Sequence, residues 1–367
     1  SAELDIDEEE QRYLLGEIHG LRSQALFFLG AFESGLAYAE QSMAQLSDAF
    51  PYGRSGALLY WALHAHALGQ GKAATNRLYE TILVEPESSS LAMHLYNGLC
   101  YIHRSSAEFP LLSRAGDDYL RFALKARLPE SEAFAHYQLG VVNYEWNELE
   151  QARDHFEAAI NLRYHAHELS LHFSLQGLAL VHLAQGRLEE ALDSIAATRE
   201  FARQASSNLL LACSRSLHAR LLLRQGDLDR ADRESLAAHA STEAGPMLLL
   251  EIPALTRAKV LVARATPESL QLATALLNEL LAYAENTHYA WRQIEVLALQ
   301  ALTLAAQGHT GKALSRLEQA VALARPGRLV RTFVDLGPAL ADHLEQLCLD
   351  SKAPDYIAQI LAAYRTQ

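Results

Sequence analysis

The sequence predicts an all-α protein, a right-handed α-solenoid or superhelix built from about eight helical hairpins of roughly 40 residues each. Three observations carry this expectation. Turn residues recur at a fixed interval, the apolar residues between them follow helical spacing, and no segment alternates apolar and polar side chains as a half-buried strand would.

The turns come first. Gly30, Gly69, Asn147, Gly186, Gly226 and Gly308 each follow an apolar helical run. Each is followed five positions later by a small residue: Gly35, Ala74, Ala152, Ala191, Ala231 and Ala313. They are spaced at about 40 residues or twice that, and degenerate turns at Ser106 to Phe109 and Ala265 to Pro267 fill the two gaps. A Gly or Asn at such a place can adopt the left-handed conformation that ends a helix. The small residue lets two antiparallel helices approach closely. Within the unit Ala133 to Leu162, Phe134, Tyr137, Val141 and Tyr144 share a helical face, and Leu149, Ala152, Phe156 and Ala159 repeat at helical spacing in the second run. Ala, Leu, Glu, Gln and Arg dominate, all good helix formers. Pro86, Pro129, Pro246 and Pro267 fall between helices or at helix starts.

Composition bounds the function. The chain has 367 residues, 50% of them hydrophobic and 8% aromatic, with a net charge of −13. Half-apolar composition is too rich for a disordered chain. The acidic balance argues against direct nucleic-acid contact by this segment, which would need clustered Lys and Arg. Cys100, Cys213 and Cys348 form no disulfide framework and point to a reducing, cytoplasmic setting. No uncharged apolar run is long enough to span a membrane. The N-terminal stretch from Glu3 to Glu10 is acidic where a signal peptide would be basic, and reads as a solvated linker or helix start. The chain begins Ser-Ala and is expected to be a piece of a longer protein. Length alone would allow two or three domains. The repeats instead imply one elongated body, with hairpins over residues 1–325 and closing helices of the same superhelix over 326–367.

Motifs for chemistry are weak. Gly69 to Lys72 and Gly308 to Lys312 place Gly and Lys close together, but neither has phosphate-loop spacing and both fall in turns. His64 and His66, His165 and His167, and the Cys100–His103 pair lack the spacing of helical metal ligands. No nucleophile elbow is present. No catalytic residue, metal site or cofactor is expected, and the chain reads as a binding module rather than an enzyme.

The helix-turn-helix unit resembles the tetratricopeptide repeat (TPR). In Ala133 to Leu162, Leu139-Gly140, Ala152, Phe156 and Ala159 stand where that repeat places Leu-Gly, Ala, a large apolar residue and Ala. Pro86 stands at its closing proline in the second unit. HEAT-like repeats are the structural alternative. The C-terminal third is more telling. Ile294-Glu295, the Gly308 turn, the Leu317 to Ala324 helix, Pro326-Gly327 and the Arg331 to Gly337 segment (RTFVDLG) follow one another in order. This is similar to the end of the helical-repeat sensor domain in MalT-like, LuxR-group bacterial transcriptional regulators. Pro354 to Arg365 resembles the last helix before their linker. The resemblance implies a signal-sensing superhelix between an ATPase domain and a DNA-binding helix-turn-helix domain. Its partners would be a small-molecule inducer or regulatory protein and those two neighbouring domains. The alternative is a stand-alone TPR scaffold for a peptide or protein partner.

In a superhelix of hairpins the first helix of each unit lines the concave side. Counting back from each turn gives the expected ligand-facing positions: His66 in unit two, Phe134, Tyr137 and Tyr144 in unit four, Gln176 in unit five, Arg220 in unit six and Lys259 in unit seven. Aromatic rings beside Arg and Gln would suit a small ligand or a peptide.

Overall fold

The turns form as their residues dictate. In a computed structural model that describes residues 7–47, 51–84, 91–165, 167–240, 249–349 and 353–365, positive φ angles occur at Gly30, Gly69, Ala107, Asn147, Gly186, Gly226, Ala265 and Gly308. Those are the six regular turns and the two degenerate ones. At Gly186 the amide donates to the Leu183 carbonyl at 3.2 Å, and the next amide, Arg187, reaches the His182 carbonyl at 2.9 Å. This pattern satisfies the carbonyls left over at a helix end. Ala107 and Ala265 adopt the same conformation without glycine's freedom, which is why those two turns were faint in sequence.

Each turn joins two helices. Among the described residues there are eight such hairpins: α1 (Glu8–Phe28) with α2 (Phe32–Gln45), α3 (Pro51–Ala65) with α4 (Gly71–Val84), α5 (Leu91–Ser105) with α6 (Phe109–Ala126), and α7 (Pro129–Glu145) with α8 (Leu149–Asn161). Then come α9 (Glu168–Ala184) with α10 (Leu188–Gln204), α11 (Asn208–Arg224) with α12 (Leu228–Ala240), α13 (Pro253–Arg264) with α14 (Pro267–Asn286), and α15 (Ala290–Ala306) with α16 (Thr310–Ala324). No strand occurs among the described residues. Pro129 and Pro267 open helices, where a missing N–H costs nothing. Pro86 and Pro246 lie outside the described residues. Asp7 caps α1 by accepting the Glu10 amide at 2.7 Å, so part of the acidic stretch is a helix start. Glu3 and Asp5 lie outside the described residues.

The two helices of a hairpin do different jobs. First helices such as α7 and α9 bury residues on nearly every face, while α8 and α12 bury only a narrow stripe, Ala152, Phe156 and Ala159 in one and Ala231, Ser235 and Ala238 in the other. The first helices touch one another from unit to unit and form an inner layer. One apolar core runs through it from Phe27 to Ala363. The packing alanines Ala152, Ala191, Ala231 and Ala313 are almost wholly buried at the helix crossings. Ala152→Leu is expected to overpack the α7–α8 crossing and cost roughly 1–3 kcal/mol. An unchanged denaturation midpoint would refute this packing role.

The array curls until unit eight meets units two and three. Phe109 of unit three packs edge-on against Trp291 of unit eight, with ring centroids 5.6 Å apart, and His66 of unit two stacks on Tyr289 at 5.9 Å. The chain after α16 then turns inward. A short turn at Arg325–Gly327 leads to α17 (Arg331–Val334), α18 (Pro338–Cys348) and α19 (Pro354–Tyr364). Gly327 sits so close to the turn of unit three that a Cβ there would strike the Ala107 carbonyl oxygen. Trp146 donates its indole N–H to the Gly327 carbonyl at 2.9 Å, and the Val330 amide donates to the Glu145 carbonyl at 2.7 Å. The Pro-Gly and RTFVDLG segments therefore dock on the inner face of unit four. Tyr356 and Tyr364 of α19 donate their hydroxyls to the Leu329 and Phe333 carbonyls and hold α17 from behind.

Candidate functional site

The inner layer leaves one side of the docked segment uncovered. A cavity of about 830 Å³ lies there, between the C-terminal ends of α7, α9, α11, α13 and α15 and the α17–α18 corner. Its wall is aliphatic, with Leu183, Leu223, Val262, Leu299, Leu302 and Leu336 among the lining residues. Charge is confined to one region, where Tyr144, Arg220, Lys259, Arg331 and Asp335 converge and Arg224 stands near. The volume lies within the ordinary range for small-ligand sites, about 300–1,000 Å³.

Asp335 is the hub of the charged region. Tyr144 donates its hydroxyl to Asp335 at 2.6 Å, Arg220 reaches it at 3.0 Å, and Arg331 forms an ion pair with it one helical turn away. Arg220 also pairs with Glu251 at 2.9 Å, and Glu251 in turn accepts from Ser216 at 2.6 Å and from Thr256. Beside it, Glu295 takes Lys259 at 2.9 Å and Arg292 at 2.8 Å. A carboxylate so enclosed survives only because several cations and donors surround it. Burial would raise both carboxyls, but Arg331 and Arg220 hold Asp335 down to about 2, and Lys259 and Arg292 hold Glu295 down to about 2. Glu145 has no such cation. Burial pushes it up to about 7 despite hydrogen bonds from the Thr332 hydroxyl, at 2.7 Å, and the Thr332 amide.

Histidines set the acid response. Burial lowers His64, His66, His94, His136 and His172 from an ordinary 6.5 to about 4. A group lowered in this way favours the folded state above pH 6.5, and that contribution is lost as pH falls through about 4. Glu145, raised above its ordinary value of 4.5, acts in the opposite sense: its contribution is full below 4.5 and lost as pH rises through 7. Five histidines outweigh one glutamate, so the denaturant midpoint at pH 5 is expected to lie below that at pH 7. An equal or higher midpoint at pH 5 would contradict these buried neutral rings. Asp335 and Glu295, lowered from 3.8 and 4.5, add a further loss as the pH falls from there through about 2.

Of the seven positions anticipated from the repeat register, the structure brings Tyr144, Arg220 and Lys259 to the cavity. The other four lie elsewhere, inside the helix layers. Tyr137 is fully buried, with Arg104 donating to its hydroxyl at 2.8 Å. Gln176 is also fully buried and lies 2.6 Å from the His172 ring nitrogen. Phe134 packs on the His167 ring, and His66 fills the seam against Tyr289. Two causes act: closure against unit eight covers His66 and the Arg104–Tyr137 pair, while Phe134 and Gln176 are taken up by packing within and against unit five. His64 and His66 are likewise interhelix packing, as when His64 approaches the Ser23 carbonyl at 3.0 Å, whereas His165 and His167 are exposed and His167 caps α9 by accepting the Leu169 amide. Among the described residues no cluster of His, Cys, Asp or Glu has the geometry of a metal site.

Residues 16–349 match the family model described as the MalT-like TPR region. The chain belongs to that family. No curated protein sequence matches it. Among solved structures, a Rap protein complexed with competence and sporulation factor superposes with a TM-score of 0.64 at 12% identity, covering 95% of this chain and 97% of that one. The apo form of RapI gives 0.51 at 12% identity over 96% and 98%. Yeast Tom70 gives 0.48 at 14% identity over 95% and 66%. At these identities the likeness to the Rap proteins is one of fold. For a MalT-like TPR region, the RTFVDLG segment now has a physical role, because Arg331, Thr332 and Asp335 tie it to the repeats through Asn147, Glu145, Tyr144 and Arg220. Sequence reasoning used that segment as a family mark and missed it as part of the site. The available signal was an Arg and an Asp four positions apart inside an apolar stretch, a spacing that places both on one helix face. Arg224 and Glu251 gave no such signal.

Proposed function

We propose that this MalT-like TPR region is the signal-sensing part of a cytoplasmic, LuxR-group transcriptional regulator. In this reading the hairpins over residues 1–325 form the binding body and residues 326–367 close it. An inducer or regulatory protein enters the cavity, and its arrival is relayed to ATPase and DNA-binding domains. The observation that carries the reading is the composition of the cavity wall. Repeat helices form one side, and the docked α17–α18 corner forms the other. An occupant that fits one seating of that corner better than another shifts its equilibrium, which is the physical requirement for a relay. A Rap protein of this fold has been seen in complex with competence and sporulation factor, which supports binding as the use of such a scaffold.

Two results test this. The gene should encode an ATP-binding loop ahead of the fragment and a helix-turn-helix behind it, and absence of both overturns the relay in favour of a stand-alone scaffold. Ala306 lines the cavity with its side chain exposed, so Ala306→Trp fills space without disturbing the core. In the full-length protein this variant is expected to hold transcriptional output at one level under conditions that switch the native protein. Normal switching would remove the cavity from the sensing role.

A further inference from the structure

The chemistry of the cavity wall defines what it can accept. Among the described residues every cation of its wall meets a carboxylate, with one exception. Asp335 pairs with Arg331 and Arg220, Glu251 with Arg220, and Glu295 with Lys259 and with Arg292 behind it. Arg224 remains. Its guanidinium donates to the Leu183 carbonyl at 3.3 Å, and among the described residues it meets no carboxylate. It is also exposed at the cavity. So a chain with a net charge of −13 presents an uncompensated cation here. A cation beside a low-dielectric wall attracts an anion more strongly than the same cation on an open surface.

The rest of the wall excludes common ligand classes. Among the described residues the lining contains no Asn, Gln, Ser or Thr. A carbohydrate would bring many hydroxyls and a peptide many amides. Each would be left without a partner against Leu223, Val262, Leu299 and Leu302, at about 1–3 kcal/mol per group. Two rings line it: Tyr144, which is almost wholly buried with Arg331 over its face and its hydroxyl on Asp335, and His343 of α18. A single imidazole offers a nucleobase or sugar ring little surface to stack on. A flexible aliphatic chain suffers none of these penalties.

We propose that the cavity binds an amphiphilic carboxylate, an aliphatic chain of medium length whose anionic end pairs with Arg224. The chain lies along the α11, α13 and α15 ends and against Leu336 and Pro338 of the docked corner. This rests on the reading of the cavity as the sensing site and adds the ligand class to it.

Decanoate, decanol and an acetylated leucine-rich pentapeptide serve as probes in calorimetric titrations of the 367-residue chain. Decanoate is expected to bind one to one, and decanol at least about tenfold more weakly, the value of one charge-assisted hydrogen bond. Arg224→Gln, an exposed substitution, should abolish that preference while leaving decanol binding unchanged. Ala306→Trp should abolish binding of both. Equal affinity for decanoate and decanol in the native protein overturns the proposal, as does decanoate binding that persists in Ala306→Trp. Pentapeptide binding without decanoate binding overturns it in favour of a peptide ligand. If no probe binds while Ala306→Trp still freezes transcriptional output, the ligand class fails and the sensing cavity stands.

Discussion

Asp335→Ala is expected to destabilise the folded chain by about 3–5 kcal/mol, the cost of breaking a buried ion pair by removing one partner. The substitution leaves Arg331 and Arg220 facing each other without their shared carboxylate and strips the Tyr144 hydroxyl of its acceptor. Repulsion between the two guanidiniums should unseat α17 before the hairpins melt. Hydrogen exchange therefore separates this from a general loss of stability: amides of α17 to α19 lose protection first, and those of α8 and α10 last. Asp335→Asn keeps an acceptor for Tyr144 and should fall between the native protein and the alanine variant. Uniform loss of protection along the chain would mean that Asp335 is not the anchor.

Phe156→Ala is expected to cost about 3–5 kcal/mol through the cavity it leaves. Phe156 is fully buried in α8, and its ring lies against two glycines of neighbouring first helices, Gly140 and Gly177. A methyl group added at Gly140 would stand 2.6 Å from the ring, and one at Gly177 closer still. Gly177→Ala alone should thus cost roughly 1–3 kcal/mol by overpacking. In the Phe156→Ala background the same change should cost little or become favourable, since the ring it strikes is gone. Simple additivity of the two substitutions would show that they do not share this contact.

The hairpins were legible because their signals are local. A turn residue needing positive φ, a small residue at the crossing and helical apolar spacing all lie within one unit. Even Ala107 and Ala265 could be placed, because the period marked where a turn had to fall. The site was less legible because it depends on closure. Tyr144 meets Asp335 across 191 positions of sequence, and Arg220 meets it across 115. No repeat register carries that information. Counting back from each turn assumes an open groove, and that assumption holds for Arg220 and Lys259, near the cavity. It fails for Tyr137 and His66, over which later parts of the chain have folded.

The seam where unit eight meets units two and three gives the molecule a mechanical character that stacked repeats alone lack. An open stack can unzip from either tip, one repeat at a time, because each repeat leans only on its neighbours. Here the Phe109–Trp291 and His66–Tyr289 contacts clip the coil shut, like a spring fastened into a loop. A pull on α19 passes through α17 to units four and eight together, and from unit eight across the seam to units two and three, so the load is shared around the loop rather than taken by one end.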